Sequence, residues 1–102
     1  HYAPRTQLQL VAAADLAATV RLALAAGRRI AVLAAPALVL DHPDIAWCPA
    51  SVNPAQFAHD LYARLRELDA LACDLILVVA PPDEEAWRAV SDRLRRAAAG
   101  SK

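Results

Sequence analysis

The sequence lacks most of the features that directly mark a biochemical function. Only two of its 102 residues are glycines, Gly27 and Gly100, so it cannot contain a GxGxxG motif or a P-loop, the usual phosphate cradles of α/β proteins. Eleven basic and eleven acidic residues cancel, and there is no basic excess for nucleic-acid binding. The most apolar stretch, residues 30–40, contains Pro36 and is shorter than the roughly 20 residues of a bilayer-spanning helix.

Cysteine is also scarce, with only Cys48 and Cys73 present. Their spacing matches neither a metal-ligand pattern nor a CxxC motif. This usage favours buried free thiols in a cytosolic domain over a disulfide. We therefore expect a cytoplasmic protein with no metal site, and a disulfide as the alternative.

The first half of the chain alternates apolar strands with one amphipathic helix. Hydrophobic residues make up 58% of the sequence, which predicts a folded domain. Residues 7–11 and 30–34 are typical of strands, and the second run is apolar throughout, as in a strand covered on both faces. Between them we predict a helix that Asp15 caps and Gly27 ends. Its inward face carries Leu16, Val20 and Leu24.

The second half continues the alternation. Residues 45–48 and 75–79 are predicted strands, and Asn53-Pro54 marks a helix start. Asp83 is the predicted cap of a last helix. The apolar faces of these two helices are Phe57, Leu61, Leu65 and Leu68, and then Trp87, Val90 and Leu94. On the polar side of the helix that starts at Asn53-Pro54, Arg64 can pair with Asp60 and Glu67. The order predicts a small three-layer α/β domain with a mostly parallel sheet of about four strands.

Few residues suggest catalysis. The loop Asp41-His42-Pro43-Asp44 could hold a metal or act in acid–base chemistry, as in a self-standing hydrolase or transferase. A solvated loop is the simpler interpretation, since no oxyanion or phosphate-binding device accompanies it. The serines at 51 and 91 have no general base nearby in sequence. The arginines at 64, 66, 93, 95 and 96 form either a weak anion-binding patch or solvated helix faces.

The chain starts with His1-Tyr2-Ala3-Pro4-Arg5-Thr6. Pro4 has a fixed φ and restricts Ala3 to extended conformations. This segment, here called the arm, is therefore predicted to be stiff and extended where it enters the first strand. It is either a frayed terminus or the end of an interdomain linker.

Several segments together resemble two-domain L-threonylcarbamoyladenylate synthases. The arm resembles the end of that family's interdomain linker, which has a His-Tyr-Ala-Pro type run. The helix with Leu65-Arg66-Glu67-Leu68-Asp69, the strand from Asp74 and the closing helix 89–98 resemble the C-terminal domain in the same order. Residues 83–87 depart from the family, which usually has a Gly-Leu-Gly type run there.

The resemblance implies a Rossmann-like accessory domain at residues 7–99, preceded by linker residues 1–6 and followed by a polar tail at 100–102. Its partner is a catalytic YrdC-like domain of the same polypeptide, absent from this chain, which condenses L-threonine, bicarbonate and ATP for the N6-threonylcarbamoyladenosine modification of tRNA. ATP and Mg²⁺ bind there, so no cofactor is expected here. No catalytic residue is assigned to this chain. His1 and Tyr2 match linker positions that can reach the nucleotide or intermediate, and we expect both to be disordered or displaced without the catalytic domain.

A second hypothesis makes the chain a regulatory module that binds a small ligand or a partner protein. Parallel α/β sheets place ligands at the carboxyl edge of the sheet. In this sequence that edge is predicted near Ala34-Ala35 and Ala80-Pro81.

Overall fold

The computed structural model of the chain describes residues 2–38 and 42–101. Within these ranges the elements are β1 (Leu8–Val11), α1 (Leu16–Ala25), β2 (Ile30–Ala34), β3 (Ile45–Pro49), α2 (Pro54–Ala70), β4 (Leu75–Val79) and α3 (Arg88–Gly100). The four strands form one parallel sheet in the order β1-β4-β2-β3. The predicted α/β class, strand number and parallel pairing are confirmed.

The sheet is the middle of three layers. Alternate residues of the central strands β2 and β4 point to opposite faces. Ile30, Val32 and Leu77 pack with the buried face of α1, whereas Ala31, Leu33 and Ile76 pack with α2 and α3. All five residues of β2 are buried. Coverage on both faces explains why these strands are continuous apolar runs.

Helix ends follow local chemistry where the backbone permits it. Asn53 has an extended backbone, and its side chain accepts a hydrogen bond from the N–H of Gln56 at 3.0 Å, with Pro54 as the first helical residue. Gly27 has a φ of +74°. The N–H groups of Gly27 and Arg28 donate to the carbonyls of Leu24 and Ala23, which is the Schellman pattern of a helix C-terminus.

Of the two predicted caps, Asp15 has the predicted N-cap position but makes no capping bond, and Asp83 is wrong. Asp15 has helical backbone angles after a 3₁₀ turn over Ala13–Asp15, and its side chain makes no capping bond. α3 begins only at Arg88, because a 3₁₀ turn over Glu85–Trp87 precedes it, and Asp83 therefore lies too far upstream to cap it. In both places a 3₁₀ turn supplies the helix entry that the sequence pattern assigned to a side chain.

The predicted pairing of Arg64 is confirmed only with Glu67, to which Arg64 Nη1 donates at 2.9 Å. Asp60 instead accepts a hydrogen bond from Gln56 at 2.9 Å and contacts His59 at 3.1 Å. Both cysteines are free and half-buried. In the described part of the chain, no helix is long and apolar enough to cross a membrane.

Candidate functional site: the anchored arm and the carboxyl-edge cleft

Residues 2–6 of the arm lie against the C-terminal end of α2 and the end of α3. Pro4 is almost completely inaccessible to solvent, although it precedes the first strand. Ala3 packs against Gly100 so closely that a Cβ placed on Gly100 would lie 2.9 Å from the Cβ of Ala3. Glycine at the end of α3 therefore makes room for the arm.

Asp69 holds the arm through three hydrogen bonds. Its Oδ2 accepts from the hydroxyl of Tyr2 at 2.9 Å and from the N–H of Arg5 at 3.2 Å. Its Oδ1 accepts from the N–H of Thr6 at 2.9 Å. Asp69 lies in the last turn of α2, where the helix dipole disfavours a negative charge. The helix itself therefore does not stabilise this carboxylate, and three hydrogen-bond donors from the arm do.

The pKa values of this cluster follow from the same contacts. Burial alone would raise the pKa of Asp69, but the hydrogen bonds from Thr6, Arg5 and Tyr2 outweigh burial and lower it. Burial raises the pKa of Tyr2, and the hydrogen bond to Asp69 raises it further. At neutral pH the pair is therefore a neutral phenol donating to a carboxylate.

The ring of Tyr2 has a second partner. The guanidinium carbon of Arg66 lies 5.9 Å from the ring centroid, within the range of a cation–π contact. In this structure the hydroxyl of Tyr2 binds Asp69 and its ring lies beside Arg66, while the prediction that Tyr2 is disordered or displaced without the catalytic domain stays a prediction. His1 lies outside the described residues, and its predicted role stays a prediction.

The chain's C-terminal residues also take part in this end of the fold. The N–H of Leu8, the first residue of edge strand β1, donates to Ser101 Oγ at 2.8 Å. The same hydroxyl donates to the carbonyl of Ala98 at 2.8 Å. Ser101 thus links the start of the sheet to the end of α3.

A cleft lies at the opposite, carboxyl end of the sheet. The chain continues from β2 to β3 and from β4 to α3, and ligands of parallel α/β sheets bind at this carboxyl edge. An apolar groove of about 490 Å³ occupies it, bounded by Ala35, Val52, Phe57 and Pro81 among others. A second hollow of about 290 Å³ adjoins it along α2, with Asp60 and Arg64 in its wall.

The proposed acid–base loop is not assembled into a site among the described residues. Asp41 lies outside the described ranges. His42 Nδ1 accepts a hydrogen bond from the N–H of Asp44 at 3.0 Å, which commits the ring to a local turn. Residues 2–38 and 42–101 contain no group of three or more His, Cys, Asp or Glu side chains that could hold a metal ion.

Two arginines of the predicted patch, Arg64 and Arg96, and the neighbouring Arg88 pair with acidic residues. Arg88 pairs with Glu85 at 3.1 Å, and Arg96 pairs with Asp92 at 2.8 Å. Both pairs are exposed, like that of Arg64 and Glu67. This arrangement favours solvated helix faces over an anion-binding patch.

Comparison with known protein families decides the assignment. The sequence model of the threonylcarbamoyl-AMP synthase C-terminal domain matches residues 1–99. The chain belongs to this family. The predicted resemblance is confirmed, and the match includes the arm together with the α/β domain.

A solved structure agrees with the fold. The chain is similar to Sua5 from P. abyssi in a crystal structure described as complexed with L-threonine, with a TM-score of 0.70 and 22% sequence identity. The similarity covers 97% of this chain but only 30% of the P. abyssi chain. This chain therefore spans less than a third of that relative. A comparison with curated proteins found no match.

Sequence reasoning missed the role of Asp69. The Leu-Arg-Glu-Leu-Asp run carries the resemblance to the family, but it assigns no function to Asp69. The available signal was its position, since an acidic residue in the last turn of a helix opposes the dipole and needs donors from elsewhere.

Proposed function

We propose that this chain is the noncatalytic C-terminal domain of a threonylcarbamoyl-AMP synthase and that it anchors the interdomain linker. The intact enzyme would condense L-threonine, bicarbonate and ATP into threonylcarbamoyl-adenylate for tRNA modification. The catalytic YrdC-like domain would bind ATP and Mg²⁺. The observation that carries the anchoring role is the carboxylate of Asp69, which binds the arm at Tyr2, Arg5 and Thr6.

The anchor defines where the linker can move. Tyr2, Arg5 and Thr6 are bound to Asp69 of α2, and Pro4 between them is buried. Linker motion over the active site would therefore pivot upstream of Tyr2. An extended lid of this kind limits the access of water to a hydrolysable adenylate.

The anchor also changes the role proposed for the two linker residues. For Tyr2 to contact nucleotide, its hydroxyl would first have to leave Asp69. We therefore propose that Tyr2 positions the linker, and that His1, one residue upstream, is the residue able to reach the nucleotide or intermediate.

The test compares full-length enzymes carrying Asp69→Ala, Tyr2→Phe and His1→Ala with the unaltered enzyme and with this domain alone. Formation and hydrolysis of the adenylate are measured. We expect Asp69→Ala and Tyr2→Phe to increase hydrolysis of the intermediate, and this domain alone to be inactive. Exposed Glu67, two residues before Asp69 on the same helix, provides the control Glu67→Ala. Activity of the isolated domain, or equal hydrolysis by Asp69→Ala and Glu67→Ala enzymes, would refute the proposal.

The carboxyl-edge cleft favours a second candidate function, that of a small-ligand binding module. The cleft and the arm lie at opposite ends of α2. The cleft is beside the start of α2, after its N-cap Asn53, whereas Asp69, which binds the arm, is in the last turn of α2. Calorimetry of this chain with ATP, AMP, amino acids and tRNA tests this function separately from the anchor.

A further inference from the structure

The carboxyl-edge cleft has an apolar body and a charged end. Leu33 and Phe57 border both the 490 Å³ groove and the 290 Å³ hollow, so the two adjoin. Ser51 borders both as well, and Asp60 and Arg64 lie only in the smaller part. A ligand in the smaller hollow would place its charges beside Asp60 and Arg64 and its apolar part against Leu33 and Phe57.

The two charges at that end have opposite signs, and each of the two side chains makes its hydrogen bonds with other partners. Asp60 and Arg64 are one helical turn apart, about 6 Å along α2. Arg64 turns to Glu67, and Asp60 turns to Gln56 and His59. A guanidinium has five N–H donors and a carboxylate has about four acceptor positions. Both side chains therefore keep hydrogen-bonding capacity for a ligand.

The protonation states are those a charged ligand needs. Hydrogen bonds from Gln56 and His59 lower the pKa of Asp60. The hydrogen bond to Glu67 raises the pKa of Arg64. At neutral pH one side of this end is an anion and the other a cation.

Size and backbone chemistry narrow the ligand class. The hollow that contains both charges has a volume of about 290 Å³, at the lower limit of the roughly 300–1,000 Å³ pockets that hold drug-sized ligands. Ala34, Ala35, Ala50 and Pro81 line the cleft and each carries a Cβ, whereas phosphate-binding loops use glycine to let the backbone approach the phosphate. The cleft therefore disfavours nucleotides and suits a small molecule that carries both charges.

We propose that this cleft binds a free α-amino acid with an apolar side chain. The ligand carboxylate faces Arg64, its ammonium group faces Asp60, and its side chain lies over Leu33 and Phe57. This inference gives a ligand class to the second candidate function and does not depend on the linker anchor.

The experiment uses the 102-residue chain, labelled with ¹⁵N and titrated with each of the twenty amino acids to about 10 mM, tenfold above a Kd of about 1 mM. We expect saturable shifts for apolar amino acids at Leu33, Ser51 and Phe57. Arg64→Ala and Asp60→Asn should each weaken binding about tenfold. The control Arg66→Ala removes an arginine of the same helix that faces Tyr2, and it should leave binding unchanged.

Ligand analogues test the charge assignment without altering the protein. N-acetylation removes the ligand's ammonium charge and decarboxylation removes its carboxylate, so each should weaken binding about tenfold. Absence of saturable shifts with all twenty amino acids would overturn the proposal. So would equal binding of the N-acetylated ligand, or binding of ATP or AMP alone. Binding of ATP or AMP alone would still support a small-ligand binding function, but for another class of ligand. None of these results affects the proposed linker anchor, which is tested separately on the full-length enzyme.

Discussion

Replacing Asp69 with alanine removes all three acceptor interactions of the arm at once. A hydrogen bond to a charged group contributes about 1.5–3 kcal/mol when buried. In this cluster the bonds from Tyr2 and Thr6 are partly buried and the one from Arg5 is exposed, so we assign about 0.5–1 kcal/mol to each. We therefore expect Asp69→Ala to lower the free energy of unfolding by about 2 kcal/mol, or the Tm by roughly 10 °C for a domain of this size.

Urea and thermal unfolding of the chain, followed by circular dichroism at neutral pH, measure this loss. Glu67→Ala is the matched control, because Glu67 is on the same helix and makes an exposed pair with Arg64. It should change the free energy of unfolding by less than about 0.5 kcal/mol. Tyr2→Phe keeps the ring under Arg66 and removes only the hydroxyl, so its cost should be about a third of that of Asp69→Ala.

The stability difference should also depend on pH with a definite sign. The pKa of Asp69 is lowered in the folded chain, so its stabilisation is present above the unfolded pKa of about 3.9. That stabilisation is lost as the pH falls through the folded-state pKa. The gap between the unaltered chain and Asp69→Ala should therefore narrow from about pH 6 to about pH 3. A difference below about 0.5 kcal/mol at neutral pH, or one that is equal at both pH values, would refute the anchoring role.

Three further predictions concern the fold, and urea unfolding of each variant chain checks them. Asn53→Ala should cost about 1 kcal/mol through loss of the bond to Gln56, whereas Asp15→Ala should cost only a few tenths, and equal costs would contradict the cap geometry. Gly27→Ala should cost about 1 kcal/mol from the strain of φ +74° alone, since no atom lies within 4 Å of the added Cβ; an unchanged stability would contradict that backbone. Leu65→Ala should cost about 3–4 kcal/mol, because Leu65 is completely buried, and a cost under about 1 kcal/mol would show that α2 does not pack as described.

Much of the fold could be predicted because its signals are local. The buried run 30–34 and the helix start at Asn53-Pro54 appear in the structure where the sequence patterns place them. The caps at Asp15 and Asp83 could not be predicted reliably, since a 3₁₀ turn changes the backbone just before each helix. An N-cap residue is recognised by type, but it caps only when its backbone is extended.

The linker anchor and the carboxyl-edge cleft differ in how much of each could be predicted from the sequence. The position of the carboxyl-edge cleft follows from strand order and could be predicted near Ala34-Ala35 and Ala80-Pro81. The charged end of the cleft could not be predicted, because the i, i+4 spacing of Asp60 and Arg64 predicts that these two side chains pair with each other. Asp60 instead accepts a hydrogen bond from Gln56, and Arg64 donates one to Glu67. These pairings depend on side-chain rotamers and on neighbouring residues, which a spacing rule does not include.

By itself, the sequence determined the α/β class, the order of elements, the absence of glycine-rich phosphate loops and the family resemblance, because each depends on residue types within short segments. Only the tertiary structure decided what the arm does. Tyr2 and Asp69 are 67 residues apart, and Ala3 meets Gly100 across the whole chain. Such contacts exist only after α2 and α3 have packed on the same face of the sheet, so no local pattern reports them.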